Sequence, residues 1–392
     1  MRQSHPEGMP HTKENAPSLF IQFAGQGTRY MDDLQRLYTT VPVVQPFIQE
    51  AIAEIKRQAA GYDDRTTNFF SQGLDVDTWI IHPETAPDLG YLLSSPLSHP
   101  LIFLTQFSHY FSFLLEGVDQ NLLLAHTHSV TGFSTGIVAA LLVSSALPLN
   151  DLWKMAIRVQ AMFFWQGIRT QQAMRNFGVQ PSLDASRYHT AEGAPSSMAG
   201  IIHLLRKRLD DAILQFDDQG RIYPAYDLFP GRWIVSALPD DLWRFRDFLK
   251  AREPSAVFRY IPSTIGAHSP LLAPALTVSP NDAEVLGIRF SDRELRVPVW
   301  ANDTGEDLRQ YTDIMNEVIR AYYIAPGAWR KQISPLLPPS RIKYVLDFGP
   351  GTGIASLTEN HIAQSGIRVI RCTLPLGRRQ VFKDILPDLE TG

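Results

Sequence analysis

The chain has 392 residues, of which 44% are hydrophobic, and its 36 lysine and arginine residues against 40 aspartate and glutamate residues give a formal net charge of −4. This length and composition exclude a disordered chain or a small disulfide-rich domain, and the missing excess of basic residues argues against nucleic acid as a partner. The single cysteine, Cys372, excludes an intrachain disulfide and leaves too few ligands for a cysteine-based metal site.

The chain begins with a polar segment, 1–17, for which we predict a loose tail because it lacks the apolar stretch of a secretion signal. The longest nearly apolar stretch, 136–149, is shorter than the roughly 20 residues that a membrane helix needs. The sequence therefore predicts a cytoplasmic protein without a membrane partner.

Two strand-to-turn units follow the tail. The apolar segment 19–23 ends in a glycine-rich turn, and the apolar segment 121–125 leads to a second glycine-rich turn at 132–136. Helices are predicted at 137–143 and 151–174 from their apolar spacing. Because the predicted strands alternate with helices, we expect an α/β fold with a largely parallel sheet.

The middle of the chain has a different pattern of predicted strands and helices. A stretch rich in serine, alanine, glycine and proline, 184–197, marks a boundary. Beyond it, strands and helices are predicted in the order βαββαβ of a ferredoxin-like unit, at 198–202, 205–216, 222–227, 233–237, 239–249 and 256–261. Acidic residues on both helices, such as Asp210 and Asp240, argue against RNA binding by this unit.

The strongest chemical signal is the segment Gly132-Phe133-Ser134-Thr135-Gly136, which fits Gly-x-Ser-x-Gly between a strand and a helix. Glycines on both sides allow the sharp turn that raises a serine hydroxyl above the edge of a sheet, at the positive N-terminus of the next helix. The pattern therefore predicts Ser134 as a nucleophile.

A serine nucleophile needs a base within hydrogen-bond reach. His126 and His128 lie just before the elbow, where we interpret them as polar turn residues, with a metal-binding pair as the alternative. His268 follows the ferredoxin-like unit and can approach the elbow from the other side, so it is the better candidate.

Further motifs occur in a fixed order around these residues. They are Phe23-Ala24-Gly25-Gln26-Gly27, the serine elbow, Ala267-His268-Ser269-Pro270, the segment 297–305 and the segment 347–351. This order resembles the acyl-carrier-protein acyltransferases of fatty acid and polyketide synthases, over nearly the whole chain. The resemblance implies an α/β-hydrolase-like large domain at 18–196 and 263–380, a ferredoxin-like subdomain inserted at 197–262, and a C-terminal tail or linker at 381–392.

Within that family, the chain resembles the starter-unit acyl-carrier-protein transacylase (SAT) domains of fungal non-reducing polyketide synthases. Phe133 stands where malonyl transferases usually have histidine, and the segments 302–309 and 347–353 are close to starter-domain signatures. Two departures are Ser134, where starter domains often carry cysteine, and Gln26, where many carry aspartate.

The substrate side is predicted from the helix after the elbow. A malonyl transferase needs an arginine about 25 residues beyond the nucleophile to pair with the free carboxylate, but that position is Val159, and the adjacent Arg158 is turned by about 100° on a helix. Phe163 and Phe164 suit an apolar acyl chain, as does Phe133, although Phe163 and Phe164 can equally be helix-core residues.

The resemblance implies a ping-pong acyl transfer in which His268 deprotonates Ser134, and acyl-serine is then attacked by the phosphopantetheine thiol of an acyl carrier protein. It also implies an oxyanion hole from the backbone N–H groups of Gln26 and Thr135, and Asn302 as the residue that orients His268, with its main-chain carbonyl as the candidate contact. No metal or bound cofactor is expected, because the phosphopantetheine arrives with the carrier protein or coenzyme A.

Several alternatives remain open from the sequence. They are a malonyl- or acetyl-CoA:ACP transacylase, a serine thioesterase or hydrolase, and a catalytically silent module that only docks a carrier protein. The segment 344–353 also resembles the first motif of a methyltransferase, but too little chain follows it for that fold. We expect an excised synthase domain with acyl-CoA or acyl-ACP as donor and with the ketosynthase and malonyl transferase domains of the same synthase as partners.

Overall fold

A computed structural model describes residues 18–180, 191–217 and 219–391. The predicted tail at 1–17 and the first half of the predicted boundary at 184–197, residues 184–190, lie outside the described residues. The strands are β1 Leu19–Phe23, β2 Thr127–Gly132, β3 Met198–Ile202, β4 Tyr223–Phe229, β5 Arg232–Ser236, β6 Val257–Ile261, β7 Gly327–Ala328, β8 Tyr344–Asp347 and β9 Arg368–Arg371.

The α-helices, numbered in chain order, are α1 Met31–Thr40, α2 Gln45–Ala60, α3 Val76–Ile81, α4 Leu89–Leu92, α5 Ser95–Leu115, α6 Gln120–Ala125, α7 Ile137–Ser144, α8 Leu149–Arg175, α9 Arg206–Phe216, α10 Pro239–Arg252, α11 Ala273–Leu276, α12 Ser279–Val285, α13 Ile314–Tyr323, α14 Trp329–Gln332, α15 Gly353–His361, α16 Pro375–Gln380 and α17 Leu386–Thr391. Helix α5 is buried over almost its whole length, with α8 packed along it. In the part of the chain that the structure describes, no helix combines the length and the apolar character needed to cross a bilayer.

The first sheet is parallel and has the strand order β2-β1-β8-β9. All five residues of β1 are buried, as expected for a strand that is covered on both faces. A parallel bridge between Val130 and Val299 adds a short pairing on the other side of β2. The carboxyl ends of β1 and β2 therefore meet at one edge of the sheet, which is where α/β folds place their sites. The predicted α/β fold with a largely parallel sheet is confirmed.

The second sheet has the order β6-β3-β5-β4-β7. Its first four strands pair antiparallel in the arrangement of a ferredoxin-like fold. Helices α9 and α10 cover it through a separate hydrophobic core that includes Leu209, Leu242 and Phe245. The sequence did not predict β7, a two-residue strand from the large subdomain that pairs parallel with β4 of the inserted subdomain.

Two predicted elements differ in the structure. The segment 121–125 is not a strand but lies in α6, whose N-terminus is capped by the Asp119 side chain, which accepts a hydrogen bond from Asn121 N. The strand is the more polar segment that follows, β2. The predicted C-terminal tail at 381–392 is also wrong for the described residues, because a π-helical turn at Val381–Ile385 leads into α17, and Val381 and Ile385 are buried in the main core.

Candidate active site

Ser134 lies at a strained turn between β2 and α7. Its φ of 53° is in the left-handed region, which residues other than glycine seldom adopt. Glycine is required on both sides by close backbone approach: a Cβ on Gly132 would overlap the backbone of Gly136, and a Cβ on Gly136 would lie 3.0 Å from Phe23 O and closer still to Ala24 O. The predicted strand-turn-helix elbow is therefore built from β2 and a 3-10 turn at Ser134–Gly136.

His268 approaches the elbow from the chain that returns after the ferredoxin-like subdomain. Its Nε2 lies 2.9 Å from Ser134 Oγ. Its Nδ1 lies 3.0 Å from both Ala321 O and Ala325 O at the end of α13. Two carbonyl acceptors place the proton on Nδ1, which leaves the Nε2 lone pair for the Ser134 hydroxyl. Burial also lowers the pKa of His268 to about 4, so that the ring is neutral at physiological pH.

Asn302 has a different position from the one expected. Its main-chain carbonyl does not meet His268, because it accepts hydrogen bonds from Ala328 N at 2.7 Å and Gln332 Nε2 at 3.0 Å. The side chain instead clamps the nucleophile: Oδ1 accepts from Ser134 N at 3.1 Å, and Nδ2 donates to Ser134 O at 2.9 Å. The expectation that Asn302 orients His268 is thus wrong, and the carbonyls at the end of α13 take that position.

Tyr226, on β4 of the ferredoxin-like subdomain, is a site residue that the sequence analysis missed. Its hydroxyl donates to Asn302 Oδ1 at 2.9 Å and accepts from Gln332 Nε2 at 2.8 Å. Its ring stacks on Phe133 with 4.3 Å between centroids and meets the His268 ring edge-on at 4.9 Å. An aromatic residue on a buried strand carries no local signal for such a position, since strands are generally rich in tyrosine.

The loop after β1 passes directly over the nucleophile. A Cβ on Gly25 would lie 2.5 Å from Phe133 O and 3.2 Å from Ser134 Cβ, so only glycine fits there. This contact brings Gln26 beside the elbow, while Thr135 follows Ser134 directly. The side chain of Gln26 donates to Ser98 Oγ at 3.0 Å.

A second buried histidine lies behind the site. His99 Nε2 contacts the Tyr322 hydroxyl, and His99 Nδ1 lies 2.9 Å from Ser95 Oγ and 3.5 Å from Gln26 Nε2. The Tyr322 ring in turn meets the His268 ring edge-on at 5.8 Å. Burial lowers the pKa of His99 to about 4, so this ring is also neutral. The contacts connect the loop after β1 with the base.

The glycine-rich loop after β8 supports the loop after β1. Its Gly349 carbonyl accepts a hydrogen bond from Ala24 N at 2.9 Å, and a Cβ on Gly351 would overlap the Thr28 side chain. Asp347 is buried, which raises its pKa to about 7, and its carboxyl group accepts a hydrogen bond from Gln22 Nε2 at 2.7 Å. The motif that resembled a methyltransferase is therefore packed against a neighbouring loop of the same sheet edge.

Phe163 and Phe164 do not reach the nucleophile. Phe163 stacks on Phe103 of α5 at 4.9 Å between centroids, and Phe164 stacks on Phe70 at 5.8 Å. With 1% and 0% of their surfaces exposed, both are helix-core residues without a free face for an acyl chain. The expectation that they bind substrate is wrong, whereas Phe133 lies beside Ser134 and contacts Tyr226.

The remaining predicted residues lie away from the reacting atoms. Val159 is fully buried, and Arg158 is exposed on the outer face of α8, where Nη1 lies next to Gly287. His128 Nδ1 lies 2.9 Å from Ser129 Oγ, and the His126 carbonyl accepts hydrogen bonds from the backbone N–H groups of Ser18 and Leu19. His126 lies in the turn after α6, as interpreted, whereas His128 lies on strand β2 and not in a turn.

The chain is similar to known proteins over most of its length. The chain is 30% identical over 397 aligned residues to the fatty acid synthase beta subunit TOXC of Cochliobolus carbonum, with 94% of this chain and 19% of that protein covered. It is 27% identical to the fatty acid synthase subunit beta of Saccharomyces cerevisiae, with 91% of this chain and 18% of that protein covered. The chain thus spans about a fifth of the length of these curated relatives.

The fold is shared with solved transacylases. A chain of the PlMCAT:AntF complex, a type II PKS acyl-carrier protein with its malonyl-transacylase, superposes with a TM-score of 0.65 at 18% identity, covering 96% of this chain and 100% of that one. A family model described as starter unit:ACP transacylase in aflatoxin biosynthesis matches residues 21–239. Because this match extends over more than half of the chain, the chain belongs to the family of starter unit:ACP transacylases.

Proposed function

We propose that this chain transfers an acyl starter unit from a thioester donor to the phosphopantetheine thiol of an acyl carrier protein, through an acyl-Ser134 intermediate. The observation that carries the proposal is the 2.9 Å contact between Ser134 Oγ and His268 Nε2, with Nδ1 of the same ring fixed by two carbonyl groups. A neutral histidine in this tautomer can accept the serine proton as the oxygen attacks a carbonyl carbon.

The two half-reactions use the same pair of residues. In the first, Ser134 Oγ gives its proton to His268 Nε2 and bonds to the thioester carbonyl carbon, the C–S bond breaks, and the departing thiol takes the proton from His268. In the second, the phosphopantetheine thiol gives its proton to His268, its sulfur attacks the acyl-serine ester, and Ser134 Oγ recovers the proton. Each half-reaction therefore returns His268 to its neutral form.

The tetrahedral intermediate of each step carries an oxyanion. We assign its stabilisation to the backbone N–H groups of Gln26 and Thr135, which flank the nucleophile because Gly25 packs against Phe133. Backbone donors that are held in place before the reaction typically contribute a few kcal/mol each. The helix that follows the elbow, α7, adds the favourable field of its N-terminus.

The surroundings favour a neutral acyl group over malonyl. In the described part of the chain, the charged group that shifts the pKa of His268 is the Asp303 carboxylate, and it raises that pKa. Asp303 also forms an ion pair with Arg320. The position 25 residues beyond Ser134 is the buried Val159 rather than an arginine. The residue next to the nucleophile is the aromatic Phe133, which suits an apolar chain.

The carrier protein is the proposed acceptor, and the phosphopantetheine belongs to it or to coenzyme A, so the chain itself needs no resident cofactor for this chemistry. The complex of a malonyl-transacylase with a type II PKS acyl-carrier protein that shares this fold supports the choice of partner. Since the chain spans about a fifth of its fatty acid synthase relatives, we propose that it works as one domain of a larger synthase with ketosynthase and malonyl transferase domains.

Intact-protein mass spectrometry tests the proposal. The chain is incubated briefly with acetyl, hexanoyl, octanoyl and malonyl thioesters, with the Ser134→Ala variant as control. We expect an acetyl or medium-chain adduct that the variant lacks and that moves to a carrier protein when one is added. An adduct with malonyl alone would favour the extender transferase, and release of free acid with carrier protein present would favour a hydrolase. No adduct from any donor would overturn covalent transfer.

A further inference from the structure

We propose that Tyr226 is a positioning residue for Ser134, through which the ferredoxin-like subdomain sets the geometry of the nucleophile. The inference rests on the proposed acyl transfer for its substrates, but the positioning itself is a property of the elbow. Ser134 and Asn302 belong to the large subdomain, whereas Tyr226 comes from β4 of the inserted one. The contact therefore crosses between the two subdomains at the reacting serine.

The Tyr226 hydroxyl holds the Asn302 amide in one orientation. Asn302 Oδ1 accepts from the Tyr226 hydroxyl and from Ser134 N, and Asn302 Nδ2 donates to Ser134 O. The hydroxyl also lies 3.4 Å from Ser134 N. A tyrosine hydroxyl has one proton to donate, and since Gln332 Nε2 donates to it, that proton goes to Asn302 Oδ1. Without the Tyr226 hydroxyl, Asn302 Oδ1 would keep only one of its two hydrogen-bond donors, Ser134 N.

The clamp matters because Ser134 is held in a strained backbone conformation. A residue other than glycine with positive φ costs on the order of 1–3 kcal/mol and persists only where its surroundings fix it. Asn302 satisfies both the N–H and the C=O group of Ser134. Weakening the clamp allows the turn to relax, which moves Ser134 Oγ away from His268 Nε2 and slows proton transfer.

The ring of Tyr226 is fixed separately from its hydroxyl. The ring stacks on Phe133 with 4.3 Å between centroids. The backbone of Tyr226 pairs with Gly327 of β7, and a Cβ on Gly327 would overlap the Tyr226 ring. The neighbouring Gln332 Nε2 has a second acceptor, Asn302 O at 3.0 Å. Replacing tyrosine by phenylalanine therefore removes the hydroxyl contacts and leaves the ring packing and a partner for Gln332.

The experiment compares Tyr226→Phe with Tyr223→Phe, a change of a half-buried tyrosine on the same strand. Acylation by a hexanoyl thioester is followed in single turnovers at several donor concentrations. We expect Tyr226→Phe to lower the maximal rate roughly tenfold or more, with the half-saturating donor concentration and the melting temperature little changed, and Tyr223→Phe to match the wild type. A wild-type rate for Tyr226→Phe would overturn the proposal.

A double-mutant cycle identifies the route of the effect. If Tyr226 acts through Asn302, Tyr226→Phe has little further effect in an Asn302→Ala background, whereas independent effects would multiply and overturn the proposal. Labelling of Ser134 by a fluorophosphonate reports nucleophile geometry without any acyl substrate. Slower labelling of Tyr226→Phe in a chain that no thioester acylates would refute the proposed function and support the positioning role. No labelling of the wild type would overturn both.

Discussion

Ser134 Oγ and His268 Nε2 lie 2.9 Å apart, although 134 positions and the whole ferredoxin-like subdomain separate the two residues in the chain. The insertion preserves this contact because its first and last strands are antiparallel neighbours, with Met198 opposite Ile261. The chain therefore leaves and returns at adjacent points of the large subdomain. Both reacting residues have positive φ, 53° and 56°, so each is held in a conformation that its surroundings must fix.

The burial of His268 predicts an acid-shifted pH dependence of acylation. Because the pKa of His268 is lowered to about 4 from an ordinary value near 6.5, the neutral base persists to about pH 5, and the rate falls about tenfold per pH unit once the pH drops below 4. Rapid-quench measurement of the acyl adduct between pH 3 and 8 checks this. A decline centred near pH 6.5 would show that His268 titrates as an exposed imidazole.

Stability must be measured across the same pH range as the control. His99 and His268 have pKa values lowered to about 4 and His109 to about 3, all by burial first. The unfolded chain binds these protons at pH values where the folded chain does not. The free energy of unfolding therefore falls as the pH drops from about 6.5 to about 4, by roughly 1.4 kcal/mol per pH unit for each histidine. Urea unfolding at each pH separates this loss from the loss of rate.

Asn302 is expected to be needed for both stability and rate. In Asn302→Ala, the buried C=O group of Ser134 loses its partner, at a cost of about 1–3 kcal/mol, and the N–H group keeps only the longer 3.4 Å contact with the Tyr226 hydroxyl. Asn302→Asp keeps the acceptor but places a carboxylate against Ser134 O, so it should be at least as harmful. Urea unfolding and single-turnover acylation measure the two effects, with the exposed Asn316→Ala as control. Wild-type acylation by Asn302→Ala would contradict the clamp.

Much of the framework was predictable because local pattern determines it. β1, the serine elbow and the strands of the ferredoxin-like subdomain follow from apolar runs, glycines and alternation. The triple leucine at 122–124 was ambiguous, since a short apolar run fits a strand or a helix equally well, and the Asp119 cap decides for the helix. Strand β2 was missed because its Thr131 is polar yet buried, with Gln332 Oε1 as a partner at 3.0 Å.

The site was predictable only in part. Reacting side chains such as Ser134 and His268 lie in recognisable sequence motifs. The groups that orient His268 are the backbone carbonyls of Ala321 and Ala325, and because every residue has such a carbonyl, the sequence does not indicate them. Tyr226 was missed for a related reason, because its position depends on how two subdomains pack and not on its neighbours in sequence. The residues that orient the nucleophile and the base are thus determined by tertiary contacts, which the motifs alone do not reveal.

Close packing at the elbow predicts a large effect for a single methyl group. A Cβ on Gly136 would overlap Ala24 O and lie 3.0 Å from Phe23 O, and backbone atoms in a buried sheet cannot move aside easily. We expect Gly136→Ala to destabilise the fold by several kcal/mol, measured by urea unfolding. Gly353→Ala, at a glycine with open space around it, is the matched control and should stay within about 1 kcal/mol of the wild type. Equal stability of the two variants would refute the close approach.

Substitution of Phe133 should change acyl-chain selectivity, whereas substitution of Phe163 should change only the stability of the fold. Phe133 lies beside the nucleophile and against Tyr226. Phe133→Leu therefore opens space next to the ester bond of acyl-Ser134, where the acyl chain begins. Phe163 stacks on Phe103 in the helix core, so Phe163→Leu should cost about 1–3 kcal/mol of stability without altering which acyl group is preferred. Competition among acetyl, hexanoyl and octanoyl thioesters, read from the adduct ratios, tests this. A ratio that changes with Phe163 but not with Phe133 would place the acyl chain along α8 and contradict the site described above.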